Sequence, residues 1–126
     1  MILKSGEQKR KEEEKATIQE FQWDEHSEES LQGEGNLFLT TQRLLFEKEA
    51  EGKTVTVFEF PLKAVDEVRV KGFIGKVLLL RVILREINSG IGKIDFSGKK
   101  GVANLKIKVN DPKAYADEIS FRSRKT

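Results

Sequence analysis

Two alternating apolar runs separated by a short polar break constrain the fold of this 126-residue chain more than any other feature. Residues 35–47 read GNLFLTTQRLLFE, with apolar side chains at every second position on both sides of a Thr-Gln pair. A period of two is typical of a half-buried β-strand, and two such runs joined by a short turn indicate an antiparallel hairpin. One face of this hairpin is apolar and needs a cover from the rest of the chain: Leu37, Leu39, Leu44 and Phe46.

The same alternation predicts further short strands along the chain, over residues 16–23, 54–60, 65–71, 77–86, 93–96 and 103–109. Asp111 and Pro112 are typical of the N-cap and the first position of a helix. Tyr115 and Ile119 then give that helix an apolar stripe. We therefore expect a mainly β protein, a partly open antiparallel barrel of about seven strands capped by one C-terminal helix.

The length of the chain fits one domain. Residues 7–15 are almost wholly charged, and a run of this kind is typical of a solvated, flexible segment. We predict a charged flexible arm over residues 1–15, the folded domain over residues 16–122 and a basic tail over residues 123–126.

Several function classes are disfavoured by the composition. The chain has no cysteine and one histidine, so it offers neither a disulfide framework nor the ligand cluster that zinc needs. Its longest apolar run, residues 77–84, is interrupted by Arg81 and is shorter than the about 20 residues of a membrane span. The start lacks the apolar stretch of a signal peptide. We expect a cytoplasmic protein, and the abundance of Lys and Glu favours a thermophilic source.

No catalytic constellation is visible in the sequence. His26 lies between Glu25 and Glu28 in an acidic segment, and no nucleophile is paired with it by any motif. The Gly- and Lys-rich residues 90–101 do not have the spacing of a phosphate-binding P-loop. We therefore predict no enzyme activity, no catalytic residue, no metal and no cofactor.

Charge is distributed unevenly along the chain. Residues 1–60 carry 8 Lys and Arg against 14 Asp and Glu, whereas residues 61–126 carry 15 against 7. This split either creates a positive side suited to an anionic partner or disappears when acidic and basic strands neutralise each other in the sheet. Nucleic acid is not the expected partner, because the basic strands lack the exposed aromatic residues that stack on bases.

The hairpin resembles the GRAM and prokaryotic PH-like branches of the pleckstrin-homology-like superfold. The shared pattern consists of Gly35, Leu37, Leu39, Thr40, Arg43, Leu44 and Phe46. The start at residues 5–7, the Phe60-Pro61-Leu62 step and the Asp111-Pro112 helix start also match. Residues 39–43 and 73–76 are similar to the GLUE domain of endosomal sorting complexes as well. The resemblance implies a module that binds phosphoinositides, ubiquitin or other proteins.

The usual lipid-binding position of PH domains does not fit this chain. The loop that would hold the head group, residues 24–35, is acidic. Phe73 and Ile74 instead lie between glycines and lysines at a predicted loop tip, as in domains that insert an apolar tip beneath anionic head groups. The alternative to insertion is that the Phe73 side chain packs back onto the edge of the barrel. The predicted ligand-binding residues are therefore Lys71, Phe73, Ile74, Lys76, Lys99 and Lys100.

Two functions follow from these observations. The first is peripheral association with an anionic membrane surface, at the inner face of the membrane. The second is a protein-interaction adaptor that binds a peptide, a ubiquitin-like partner or a second copy of itself along an exposed strand edge.

Overall fold

Eight strands and one α-helix form the fold in the computed structural model, which describes residues 1–72, 76–91 and 94–123. Strands β1 to β8 are Lys9–Trp23, His26–Ser27, Gly33–Thr40, Arg43–Ala50, Lys53–Pro61, Val65–Lys71, Val77–Ile83 and Val102–Lys108, and helix α1 is Pro112–Ser123. Short 3-10 turns occupy Glu29–Leu31, Leu62–Ala64 and Leu84–Glu86. This architecture confirms the predicted mainly β fold with a C-terminal helix.

The sheet is antiparallel throughout, with the strand order β5-β4-β3-β1-β8-β7-β6. The two-residue strand β2 lies outside this order and pairs with the end of β1. Strands β5 and β6 are therefore the two edges of an open sheet. They are consecutive in the chain, so the connection between them, residues 62–64, lies where the sheet fails to close.

Strand β1 joins the two halves of the sheet. Its first part pairs with β3 from Lys9 to Ile18, and its last part pairs with β8 from Thr17 to Trp23. A register shift between Glu13 and Ala16 leaves an irregularity that contains Lys15, whose φ is 64°. Such bulges bend a strand, and the bend lets one long strand serve both halves of the sheet.

The predicted flexible arm is wrong for residues 9–15, because they are the first half of β1. Backbone pairs such as Lys9 with Thr40 and Glu13 with Leu37 connect them to β3. Main-chain hydrogen bonding does not depend on side-chain charge, and the charged side chains of this stretch stay largely at the surface. Composition alone therefore gave a misleading signal.

The hairpin of β3 and β4 has the predicted register. Leu37 pairs with Phe46 and Leu39 with Leu44, and all four side chains are fully buried. A Cβ atom at Gly35 would lie 2.4 Å from the backbone oxygen of Glu47, so the close approach of the two strands requires glycine at this position.

Phenylalanine rings fill the space between the two halves of the sheet. The ring of Phe58 lies 5.5 Å from that of Phe46, 5.6 Å from that of Phe21 and 6.0 Å from that of Phe60. Phe96 stacks on Phe21 at 5.8 Å. Aromatic pairs at these separations add to the stability that burial itself provides.

Two predicted strand segments differ in the structure. Residues 84–86 leave β7 as a 3-10 turn, in which the Ile87 N–H bonds to the carbonyl of Leu84 at 3.1 Å. The short strand predicted over residues 93–96 is not formed by residues 94–96, and Lys93 lies outside the described residues. Phe96 lies in an irregular segment rather than in a strand, and its side chain is buried.

Helix α1 begins as the sequence predicts. The side chain of Asp111 accepts a hydrogen bond from the Ala114 N–H at 3.2 Å, and Pro112 is the first helical residue. Tyr115 and Ile119 are buried against the sheet. No helix in the described part of the chain is long and apolar enough to cross a membrane.

The helix is also tied to the sheet by charge. Arg10 of β1 donates to Glu118 at 3.0 Å, and Arg122 donates to the same carboxylate at 2.9 Å. Burial acts to raise the pKa of Glu118, but the two guanidinium groups outweigh it and lower the pKa below its usual value.

Candidate functional site

Three lysines converge where β6 turns into β7. Lys71 ends β6 and pairs with Val77, which in turn pairs with Lys108 at the end of β8. Directly opposite residues of a sheet share one face, so Lys71 and Lys108 lie on the same outer surface. Lys76 directly precedes β7. We call Lys71, Lys76 and Lys108 the β6–β7 lysine cluster.

The β6–β7 lysine cluster is exposed and carries free positive charge. Within the described residues, none of the three ammonium groups has a carboxylate within 4.0 Å. A neighbouring cavity of about 250 Å³ touches Lys76 and Lys108 but is also lined by Glu13 and Glu34. The charge therefore faces outward from the sheet surface and does not line a purely basic pocket.

The two apolar residues of the predicted loop tip, Phe73 and Ile74, lie outside the described residues. Their insertion into a membrane stays a prediction.

Lys99 and Lys100 lie at the other end of the sheet from the β6–β7 lysine cluster. They precede Val102, the first residue of β8, whereas Lys108 is the last residue of that strand. A strand rises about 3.3 Å per residue, so the two ends of β8 are about 20 Å apart. The structure therefore separates the predicted binding lysines into two groups.

Lys99 packs against an aromatic ring. Its ammonium group lies 5.2 Å from the centre of the Trp23 ring, and Trp23 donates its indole N–H to Glu28 at 2.9 Å. The contact is a cation–π interaction of a partly exposed residue. Acidic residues of the 24–29 segment surround this end of β1. Lys99 is thus engaged locally, and Lys100 is exposed.

The remaining basic residues on the outer face of β6, β7 and β8 are neutralised. Arg81 pairs with Asp66 at 2.7 Å and with Glu67 at 2.9 Å, and Arg69 pairs with Glu67 as well. Lys106 pairs with Glu20 at 3.3 Å. Of the two outcomes that the charge split allows, mutual neutralisation holds in the middle of this face, and free positive charge remains at the β6–β7 end.

Lys108 is the member of the cluster that the sequence-based site does not contain. The alternation in residues 103–109 places its side chain outward, which is a local signal. Its position on the same face as Lys71, one strand away, depends on the pairing of β8 with β7 and of β7 with β6.

The overall structure is similar to that of the Vps36 N-terminal PH domain, with a TM-score of 0.56 and 15% sequence identity over 95% of this chain and 84% of the other. This chain has a PH-like fold. Comparisons of the sequence with protein-family models and with curated proteins give no match. At this level of identity the similarity concerns the fold, and the GRAM and GLUE subtypes remain predictions.

The polar residues of the hairpin motif have a structural role in this PH-like domain. Arg43 and Glu7 are 8% and 6% exposed, and they form a buried ion pair with an Nε–Oε2 distance of 2.8 Å. Arg43 also donates to Glu59 at 3.0 Å and to the carbonyl of Ile2 at 2.7 Å. The Thr40 hydroxyl donates to Glu7 and accepts from the Arg43 N–H. This network attaches the N-terminal segment to the hairpin.

Glu7 is held in its charged form. Burial acts to raise its pKa, but hydrogen bonds from Arg43, Thr40 and the Lys4 N–H outweigh burial and lower the pKa from 4.5 to about 2. A lowered pKa in the folded state stabilises the fold above the unfolded-state value, and this stabilisation is lost as the pH falls towards the folded-state value.

We expect a specific acid sensitivity from Glu7. One pKa unit corresponds to about 1.4 kcal/mol, so between pH 4.5 and pH 2 Glu7 accounts for a loss of about 3 kcal/mol in the free energy of unfolding. Urea unfolding at several pH values measures this loss. A Glu7→Gln variant should lack it, whereas Glu14→Gln, which changes an exposed carboxylate, should keep it. An equal loss in the wild type and in Glu7→Gln would contradict the prediction.

Among the described residues, no group of three or more His, Cys, Asp and Glu side chains is arranged to hold a metal ion. His26 lies beside Trp23, with 5.4 Å between the ring centres.

Proposed function

We propose that this PH-like domain is a non-catalytic binding module that associates reversibly with an anionic membrane surface. The observation that carries the proposal is the β6–β7 lysine cluster, in which three exposed lysines lie near one end of the sheet and none has a carboxylate of the described residues within 4.0 Å. Lysines near an anionic membrane contribute about 1 kcal/mol each. The loop that contains Phe73 and Ile74 joins Lys71 to Lys76, and its apolar side chains would enter the head-group region. Such a module works in the cytoplasm, at the inner face of the membrane.

Lys99 and Lys100, which were also assigned to the site from the sequence, take no part in the orientation proposed here. They lie about 20 Å from the cluster, at the other end of β8, so they would contact the membrane only in a different orientation of the domain. Replacing Lys99 and Lys100 by glutamate therefore provides a matched control for replacing two lysines of the cluster by glutamate.

Liposome binding tests the proposal. The Lys71→Glu/Lys76→Glu variant is expected to bind anionic vesicles of phosphatidylcholine and phosphatidylserine at least about 30-fold more weakly than the wild type, since two lysine contributions are lost. Co-sedimentation gives the affinities. Lys99→Glu/Lys100→Glu has the same change in net charge and should bind like the wild type, and Phe73→Ser should weaken binding if the loop inserts.

The outcomes separate clearly. Equal weakening in both double variants would mean that net charge, and not the cluster, drives binding. An absence of binding of the wild type to anionic vesicles would overturn the membrane proposal.

A protein-interaction adaptor is the second candidate, and the edge strand β6 favours it. Within the described residues, β6 receives backbone hydrogen bonds from β7 on one side and from no segment on the other. Val70 of this strand is 42% exposed. An open strand edge can pair with an extended peptide, with a ubiquitin-like partner or with the same edge of a second copy.

Salt distinguishes the two candidates. Attraction through exposed lysines weakens when the salt concentration rises, because mobile ions screen the charges. Strand addition through main-chain hydrogen bonds persists under the same conditions.

A further inference from the structure

A second basic site lies at the other end of β6 from the β6–β7 lysine cluster. It is a cavity of about 570 Å³ between the N-terminal segment, the β3–β4 turn, the end of β5 and the end of α1. Lys63 of this cavity lies just before β6, and Lys71 ends that strand, so the two sites are about 20 Å apart. The volume is within the range of about 300–1,000 Å³ that small-molecule sites occupy.

Basic side chains predominate in the lining. The cations are Lys4, Arg43, Lys63 and Arg122, and the carboxylates are Glu59 and Glu86. Two of the four cations are already engaged, Arg43 by Glu7 and Glu59 and Arg122 by Glu118. Lys4 and Lys63 have no carboxylate within 4.0 Å in the described part of the chain. Glu86 pairs with Arg85 at 4.0 Å, so the cavity holds two ammonium groups without a carboxylate partner.

The side of the cavity that contains Arg43 is preformed in the free protein. Arg43 is buried, and its guanidinium group is fixed by Glu7, Glu59 and the carbonyl of Ile2. A site with a wall that is held in place in the free protein loses less conformational freedom on binding. Lys4 is placed near this wall because its backbone N–H donates to Glu7 at 2.8 Å.

We propose that the cavity binds a phosphate monoester, with the phosphate group between Lys4, Lys63 and Arg122. A phosphate monoester carries a charge of about −2 at neutral pH, which matches the two free ammonium groups. Phe60, Pro61 and Leu62 line the same cavity and provide an apolar wall for the organic group.

The probe for this site is phenyl phosphate, added to isotope-labelled protein and followed by two-dimensional NMR. We expect saturable shifts of the backbone amide signals of Thr41, Gln42, Lys63 and Asn88. Lys4→Gln/Lys63→Gln should weaken binding at least about tenfold, the effect of losing a hydrogen bond to a charged group. Lys15→Gln/Lys53→Gln removes two exposed charges outside the cavity and should leave the affinity unchanged.

Two further probes identify the recognised group. Equal affinity for inorganic phosphate and phenyl phosphate supports recognition of the phosphate group itself, and tighter binding of phenyl phosphate supports a contribution from the apolar wall. The proposal is overturned if phenol causes the same shifts, if both double variants weaken binding equally, or if no saturable shifts occur up to about 10 mM, the range of very weak ligands.

Discussion

Replacing Arg43 by alanine is expected to lower the free energy of unfolding by about 3–5 kcal/mol, because it leaves the buried charge of Glu7 without its partner. The substitution removes the partner of Glu7, whose side chain is fully buried. A buried charge without a partner is costly, because it has lost its hydration and gained no replacement. Glu59 and the carbonyl of Ile2 lose a donor at the same time.

Urea unfolding measures this effect, and Arg69→Ala is the matched control. Arg69 forms an ion pair with Glu67 at the surface, where such pairs contribute about 0–1 kcal/mol. Glu7→Ala/Arg43→Ala should be less destabilised than the sum of the two single variants, since the double variant leaves neither charge unpaired. A loss below about 1 kcal/mol for Arg43→Ala would show that the network is not important for stability.

Replacing Phe58 by alanine is expected to cost about 3–5 kcal/mol. Phe58 is fully buried and its ring lies within 6.0 Å of three other rings, those of Phe21, Phe46 and Phe60. The substitution removes buried apolar surface and leaves a cavity between the two halves of the sheet, and rings attached to different strands cannot collapse fully into it.

Thermal or urea unfolding measures the loss, with Phe121→Ala as the control. Phe121 is 69% exposed on the outside of α1, and its removal should change the free energy of unfolding by no more than about 0.5 kcal/mol. A Phe58→Ala variant about as stable as Phe121→Ala would mean that the aromatic cluster does not hold the two halves of the sheet together.

The hairpin and the helix start were predictable because their signals are local. The alternation around Thr41 and Gln42 specified both strands and their register, and a turn of two residues leaves little freedom in how such strands pair. Asp111 and Pro112 specified the helix start, since an N-cap acts within one turn. The resemblance to PH-like proteins rested on the same hairpin, and the similarity of the structure to a PH domain confirmed that fold.

The first half of β1 was not predictable from its own residues. Residues 9–15 have the composition of a solvated arm, and they become a strand because β3 offers them an edge. The same applies to Glu7 and Arg43, which are 36 residues apart in the chain. From the sequence alone, each would be assigned to the surface as a charged residue. The fold brings the two together and excludes water from them.

By itself, the sequence determined the β3–β4 hairpin, most of the other strands and the start of the helix, because strand alternation and helix capping act over a few residues. Only the tertiary structure decided which charges meet. It placed Lys108 on the same face as Lys71 with β7 between them, put Lys99 and Lys100 at the opposite end of β8, and buried Glu7 against Arg43. The physical reason is that side-chain charges are brought together by strand pairing across the whole chain, and the alternation within one strand carries no information about its neighbours.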